Sequence, residues 1–235
     1  MSYIKFIVEF GVIFSSVFIS FYLEDLRKDS NELVLKNELV SDLIITIEDD
    51  LEQLKNIQDI LQNSEKLILE VLNDVDNDHN QLSNTEAMNK ILGIEVGFSF
   101  FPKDGIFNQL ISTGTFELIK NEELKKTLLE IFNNQKQRNY ATSQEIDKFN
   151  IDFRKELNQN FRIRFSYNSF DGEYYGSRTL TNSNFDKNYY LSNSFYGIIS
   201  QAQQYSNMYM RQLKDIEDNY ETAYALSKEE IKKDN

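Results

Sequence analysis

The chain has 235 residues, with 25 Lys and Arg against 38 Asp and Glu, for a formal net charge of -13. That is one ordinary domain's worth of length, and an acidic balance without a basic stripe argues against a nucleic-acid partner. Zero Cys and a single His remove disulfide frameworks, zinc ribbons, thiol nucleophiles and any site that needs two imidazoles, while 8 Gly and one Pro are too few for a turn-rich sandwich or barrel. The expected fold class is therefore all-α, with no cofactor.

Residues 6–23 read FIVEFGVIFSSVFISFYL, with one charge. At 1.5 Å per residue this stretch is roughly 27 Å long, close to the hydrocarbon thickness of a bilayer. A retained single transmembrane helix over residues 1–24 is expected, with the lipid bilayer as partner. The rival readings are a signal peptide, which would want a basic n-region and a small-residue cleavage site, and a buried core helix. At 100° per residue, Lys5, Glu9, Ser16, Ser20 and Arg27 fall within about 40° of one line. A carboxylate near the bilayer centre costs at least a few kcal/mol unless neutral or paired. The stripe therefore reads as a helix–helix seam or a pore lining, and the competing reading is that Glu9 snorkels. Gly11 and Ser15 make a small-xxx-small pair on another face.

From residue 25 to 73 no Gly or Pro intervenes, and Leu33, Val40, Ile47, Leu54, Leu61 and Ile68 recur every seven residues. Ile44, Leu51 and Leu72 fill the complementary positions, while Asn37, Gln58 and Glu65 interrupt the seam. A long stalk helix continuous with the anchor is predicted. Residues 73–84 read as a polar loop whose Asp74, Asp76 and Asp78 imitate the first ligands of a calcium loop. The imitation fails because His79 stands where the turn needs Gly and Thr85 where a bidentate Glu is needed. Ser83 and Glu86 form a capping box for a short helix stopped near Gly93.

The stretch that follows is punctuated legibly. Asp104 can cap a short helix, Gly114 supplies a left-handed exit, and Asn121 caps a helix carrying Glu122 and Glu123 against its dipole. Leu124, Leu128, Ile131 and Phe132 give that helix an inward face, resumed by Ile146, Phe149, Phe153 and Leu157. Taken together, the anchor with its early Glu, the acidic, leucine-rich stalk and the run QLISTGTFELIKNEELKKTLLEIFN resemble a membrane-anchored family of unknown function abundant in Bacteroidota. Its members pair a GE-type apolar helix with a later L-x-S-x-G-x-x-x-x-I-x-x-x-x-L motif. The resemblance covers most of residues 3–132. It puts the motif on Leu110, Ser112, Gly114, Ile119 and Leu124 and the membrane carboxylate on Glu9, although this chain has EFG in place of GE. It implies a location and a helical architecture, and the family has no activity to transfer.

Residues 161–196 depart from helical patterning, with Phe165, Tyr167, Phe170, Tyr174, Tyr175, Phe185, Tyr189 and Tyr190 among Asn, Ser, Asp and Gly. They read as a long loop or small hairpin folded over the helices, the other reading being an aromatic surface for a partner or glycan. A C-terminal helix over 197–230 follows, with Phe195, Ala202, Tyr209, Ile216 and Ala223 at seven-residue intervals, able to serve as an antiparallel partner for the stalk.

No nucleophile elbow, phosphate-binding glycine loop or paired-His metal motif occurs. The function expected is non-enzymatic: a single-pass inner-membrane protein whose helical domain, residues 25–235, scaffolds, senses or binds a partner. That partner is a second copy or another membrane protein. The alternative is a small homo-oligomeric channel lined by the Glu9 stripe. Arg27, Lys28 and Lys36 after the anchor lean toward a cytoplasmic domain, whereas the resemblance implies a basic short end held inside; a periplasmic domain of a bacterial inner-membrane protein is the expectation.

Overall fold

The computed structural model describes residues 2–168, 170 and 177–234; Tyr174 and Tyr175 of the aromatic-rich segment lie outside the described residues. Helix α1 spans Ser2–Asp76, followed by α2 (Asn84–Leu92), α3 (Gly105–Thr113), a 3-10 turn (Thr115–Leu118) and α4 (Glu122–Leu129). A π-helical stretch (Glu130–Gln135) precedes α5 (Lys136–Asn160), and strands β1 (Arg162–Asn168) and β2 (Ser177–Asn184) lead to α6 (Lys187–Tyr190) and α7 (Asn193–Asp234). The structure is 80% helical. The all-α expectation needs one correction, because β1 and β2 pair as an antiparallel two-stranded sheet. Its register shifts between Arg164 and Phe165, and the Thr181 hydroxyl there donates to the Arg164 carbonyl at 3.0 Å. Strand formation suits the β-branched and aromatic residues of FRIRFSY, which carry no helical apolar stripe.

The chain divides into two compact units, one of Met1–Glu48, Lys103–Leu129 and Thr222–Asn235, the other of Asp49–Pro102 and Glu130–Glu221. In the second unit, α1 buries Asp50, Leu54, Ile57, Leu61, Ser64, Ile68 and Val71 in alternating steps of four and three, and then Asp74. The residues of α7 buried in this unit, from Phe195 and Ile199 to Ile216 and Tyr220, keep the same rhythm. Cross-helix hydrogen bonds fix the direction. The Tyr220 hydroxyl donates to Asp50 Oδ2 at 3.0 Å, Gln58 Nε2 to Glu217 Oε2 at 3.3 Å, and Gln203 Nε2 to Glu65 Oε1 at 2.9 Å. Partner numbers fall as those of α1 rise, so the two helices run antiparallel here. Each fully buried Leu or Ile on such a seam contributes roughly 1.5–3 kcal/mol.

The expected second row on α1 was one residue out of phase. Ile44, Leu51 and Leu72 are only half-buried, and the row that packs is Leu43, Asp50, Ile57, Ser64 and Val71. Asp50 and Ser64 hid it, since both are polar yet satisfied inside: Asp50 by Tyr220 and Ser64 by the Glu95 amide at 2.9 Å.

Among the described residues the extended segment after α2 has no strand partner, and side chains satisfy its backbone. The Tyr209 hydroxyl donates to Phe98 O at 3.1 Å and accepts from Phe100 N at 3.1 Å. Asn139 Nδ2 donates to Phe100 O at 2.8 Å and Asn150 Nδ2 to Gly97 O at 3.1 Å, while Gln53 Oε1 accepts from Phe101 N at 2.8 Å. Gly97 has φ 123°, and a Cβ there would lie 2.6 Å from Tyr209 Cδ1; the segment can lie this close to α7 only because the residue is glycine. Part of the aromatic-rich stretch packs inward: the rings of Phe161, Phe185, Tyr189, Tyr190 and Phe195 meet at centroid distances between 4.9 and 6.1 Å, with Phe161, Tyr190 and Phe195 buried and Phe185 and Tyr189 half-buried. Phe170 is fully exposed.

In the first unit, α1 buries Lys36, Leu39, Val40, Leu43 and Ile47, and α7 buries Ala223, Ser227 and Glu230. Gly114, at φ 77°, ends α3 in the left-handed conformation its sequence position implied. Asn121 Oδ1 accepts from the Glu123 and Leu124 amides at 3.0 and 3.1 Å, capping α4 as expected.

Candidate functional site

Every described side chain of α1 in residues 6–23 is exposed, including Phe6, Ile7, Phe10, Ile13, Phe14 and Phe18. An 18-residue window of this helix is apolar and long enough to cross a membrane and is 0% buried. Water disfavours such a surface by about 25 cal/mol per Å² of apolar area. Burial starts only near Leu33, so residues 24–32 form an open polar collar on the same helix.

Within the apolar stretch the polar residues take different routes. Ser16 Oγ donates to Ile13 O at 2.8 Å and Ser20 Oγ to Ser16 O at 2.8 Å. These hydroxyls close onto their own helix and need no partner in hydrocarbon. Glu9 and Arg27 are exposed. The side chain of Lys5 lies outside the described residues. A Cβ at Gly11 would meet nothing within 4 Å, leaving that face of the helix open.

The motif residues Leu110, Ile119 and Leu124 are buried, Gly114 makes the turn, and Ser112 is exposed with its hydroxyl on Gln109 O at 3.2 Å. What holds this turn was not legible locally. Lys36 Nζ lies 3.1 Å from Glu230 Oε1, with side-chain exposures of 0% and 1%. Glu230 also accepts from the Lys120 amide at 2.8 Å (Oε1) and from the Asn121 amide at 3.0 Å (Oε2). The carboxylate thus serves a buried ammonium and two backbone donors just ahead of α4, where the helix dipole adds to the attraction. The signal available in sequence was phase: Glu230 and Ser227 continue the heptad of α7 as polar residues.

A second buried polar centre closes α1. Asp78 and His79 are left-handed, at φ 57° and 56°, and reverse the chain. Such non-glycine residues cost roughly 1 kcal/mol each, and Asp74 offsets this. Its Oδ1 accepts from the Gln81 and Leu82 amides, each at 2.9 Å, and its Oδ2 from Tyr190 OH at 2.9 Å and His79 Nδ1 at 2.6 Å. His79 Nε2 faces Asn84 Oδ1 at 2.8 Å, and its ring is stacked on Phe185 with a centroid distance of 4.9 Å. The sequence placed Asp74 in a solvated loop; the structure buries it in the last turn of α1. Both nitrogens and a ring face of the histidine are engaged, an arrangement that braces a turn rather than presenting a base to a substrate. Among the described residues no group of three or more His, Asp or Glu is placed to hold a metal ion.

Burial pulls the Asp74 carboxyl upward, but hydrogen bonds from His79, Leu82, Gln81 and Tyr190 outweigh it and hold the group below its ordinary value. Burial and Asp74 itself push the Tyr190 phenol well above its ordinary range. Because the folded pKa of Asp74 is depressed, its contribution is complete above an unfolded value of about 4 and is lost as pH falls through the lower folded value. Asp74→Asn is expected to destabilise the protein at pH 7 by about 2 kcal/mol or more. The melting difference from wild type should shrink as pH is lowered from 5 to about 3, which circular dichroism melts across that window check. Comparison with protein-family models, curated proteins and solved structures found no match to this chain.

Proposed function

We propose that this chain is a non-enzymatic, single-pass membrane protein in which residues 6–23 cross the bilayer and an antiparallel helical bundle scaffolds, senses or binds a partner. The observation that carries this reading is the contrast along α1. The apolar stretch is exposed on all sides, whereas from Lys36 onward the same unbroken helix buries a regular seam. A soluble core helix of this composition would be covered; lipid is the environment that satisfies it. The resemblance to the Bacteroidota family supports a bacterial inner membrane and a periplasmic domain, with a second copy or another membrane protein as the partner of the anchor. The hydroxyls of Ser16 and Ser20, bonded to their own helix, favour an anchor over a pore lining.

The test is fractionation of the full-length protein. Wild type should resist carbonate extraction and require detergent. Ile13→Asp combined with Val17→Asp, each adding roughly 3 kcal/mol to insertion at a helix centre, should release it to the soluble fraction. Wild-type protein in the soluble fraction without detergent would overturn the anchor. For topology, Lys232→Cys lies at an exposed position and should react with an impermeant maleimide once the outer membrane is opened. Labelling only after inner-membrane lysis would place the domain in the cytoplasm. Glu9→Leu should alter native mass or ion flux more than Glu24→Leu if Glu9 sits in a helix interface; equal behaviour of the two variants favours snorkelling.

A further inference from the structure

The second unit holds a cleft of about 210 Å³ roofed by the hairpin. Its floor is apolar, made by Ile94 from the extended segment and by Phe153 and Leu157 from α5, and Phe165 of β1 forms one wall. Arg154 of α5 and Arg178 of β2 also line it, bracketing one carboxylate. Arg154 Nη2 lies 3.1 Å from Glu95 Oε2, and Arg178 Nη2 lies 3.7 Å from Glu95 Oε1. Arg178 Nη2 also donates to the Leu92 carbonyl at 2.8 Å, and its guanidinium carbon sits 5.4 Å from the centroid of Phe165. The cleft therefore carries two fixed positive charges against one negative, in a chain whose net charge is -13.

This combination has a chemical direction. A guanidinium has five N–H donors, and the contacts of both arginines named above run through Nη2 alone. Each arginine is half-exposed, with side-chain exposures of 44% and 40%, so a second acceptor can reach it. The stacking of Arg178 on Phe165 and its bond to Leu92 hold the fork in one orientation. Planar, bidentate recognition of a carboxylate suits such a fork better than recognition of a neutral polar group. The volume lies below the roughly 300–1,000 Å³ of drug-sized sites, which limits the occupant to one ring or a short chain.

We propose that this cleft binds a small monocarboxylate with an apolar, single-ring body: the ring rests on Ile94, Phe153 and Leu157, and the carboxylate bridges Arg154 and Arg178 in competition with Glu95. The site is independent of the membrane reading, since all of its residues lie in the second unit. Glu95 is then an internal competitor, and its neutralisation should improve binding instead of weakening it.

The experiment uses full-length protein in nanodiscs with isoleucine methyl groups labelled, titrated with 3-phenylpropionate and, separately, with the neutral 3-phenylpropan-1-ol. The Ile94 methyl signal is expected to shift saturably with the acid, and the alcohol to bind at least tenfold more weakly. Arg178→Gln and Arg154→Gln should each weaken binding about tenfold, and Glu95→Gln should tighten it several-fold. If either arginine variant loses its circular dichroism signal, Glu95→Gln and the acid-to-alcohol ratio in wild type still decide. Equal affinity for acid and alcohol, unchanged or weaker binding in Glu95→Gln, or no Ile94 shift at 10 mM probe would each overturn the proposal.

Discussion

Glu230→Leu is expected to destabilise the protein by about 3–5 kcal/mol, the usual cost of removing one member of a buried ion pair. The side chain serves the Lys36 ammonium and the Lys120 and Asn121 amides, so its loss takes the same acceptor from a buried charge and two backbone donors together. Lys36→Met should cost less, because the carboxylate keeps its two amide donors. The double variant Lys36→Met with Glu230→Leu should recover part of the loss, since no buried ammonium then lacks its carboxylate, but not the part due to the two amides. Thermal unfolding in detergent, followed at 222 nm, should rank the proteins as wild type, Lys36→Met, double variant, Glu230→Leu. For Glu230→Leu the drop should be on the order of 10 °C in Tm. A double variant less stable than Glu230→Leu would show that the ion pair is not what the site depends on.

Gly97→Ala is the second substitution with a large expected effect, about 2–5 kcal/mol from backbone strain and overpacking together. The new methyl would lie 2.6 and 2.9 Å from Tyr209 Cδ1 and Cε1. That ring cannot withdraw cheaply, because its hydroxyl is held between the Phe98 carbonyl and the Phe100 amide. Burial also pushes the Tyr209 phenol above its ordinary value, so it stays a neutral donor and acceptor through the physiological range. Tyr209→Phe removes only the hydroxyl and should cost about 1–3 kcal/mol, with faster hydrogen exchange at the Phe100 amide. In a Tyr209→Ala background the clash disappears, and Gly97→Ala should then cost markedly less than in wild type. Additive losses would mean that strain at φ 123°, and not the contact, sets the effect.

Much of the helical framework was legible because its signals are local. Residues 6–23 carry a single charge, Glu9, among mostly apolar side chains, the Ser83–Glu86 capping box closes both ways as written, and Gly114 sits where a helix must exit left-handed. The heptad of α7 was readable through Phe195, Ala202, Tyr209, Ile216 and Ala223, all buried. The second row of α1 was not, since Asp50 and Ser64 look like surface residues until Tyr220 and the Glu95 amide are brought to them by the fold. The same reason hid both polar centres. Lys36 meets Glu230 across 194 positions and Asp74 meets Tyr190 across 116, separations that no window of sequence spans. The hairpin was half-visible: its aromatics announced a break from helix, but Phe161, Phe185 and Tyr190 gave no hint that they pack together while Phe165 lines a cleft.

The polar members of the seam have a mechanical corollary. Apolar ridges alone repeat every seven residues and would let α7 slip along α1 by one heptad with little change in packing. Asp50 and Tyr220 forbid it: a slip one way would set Leu213 against the buried carboxylate, and a slip the other way would press the Tyr220 phenol onto Ile57. Each takes a desolvated polar group away from its partner, at roughly 1–3 kcal/mol or more, and the Glu65 contacts with Gln203 and Asn207 would break at the same moment. A push along the axis of α1 therefore carries α7 with it, and the pair cannot work as a piston in a sleeve.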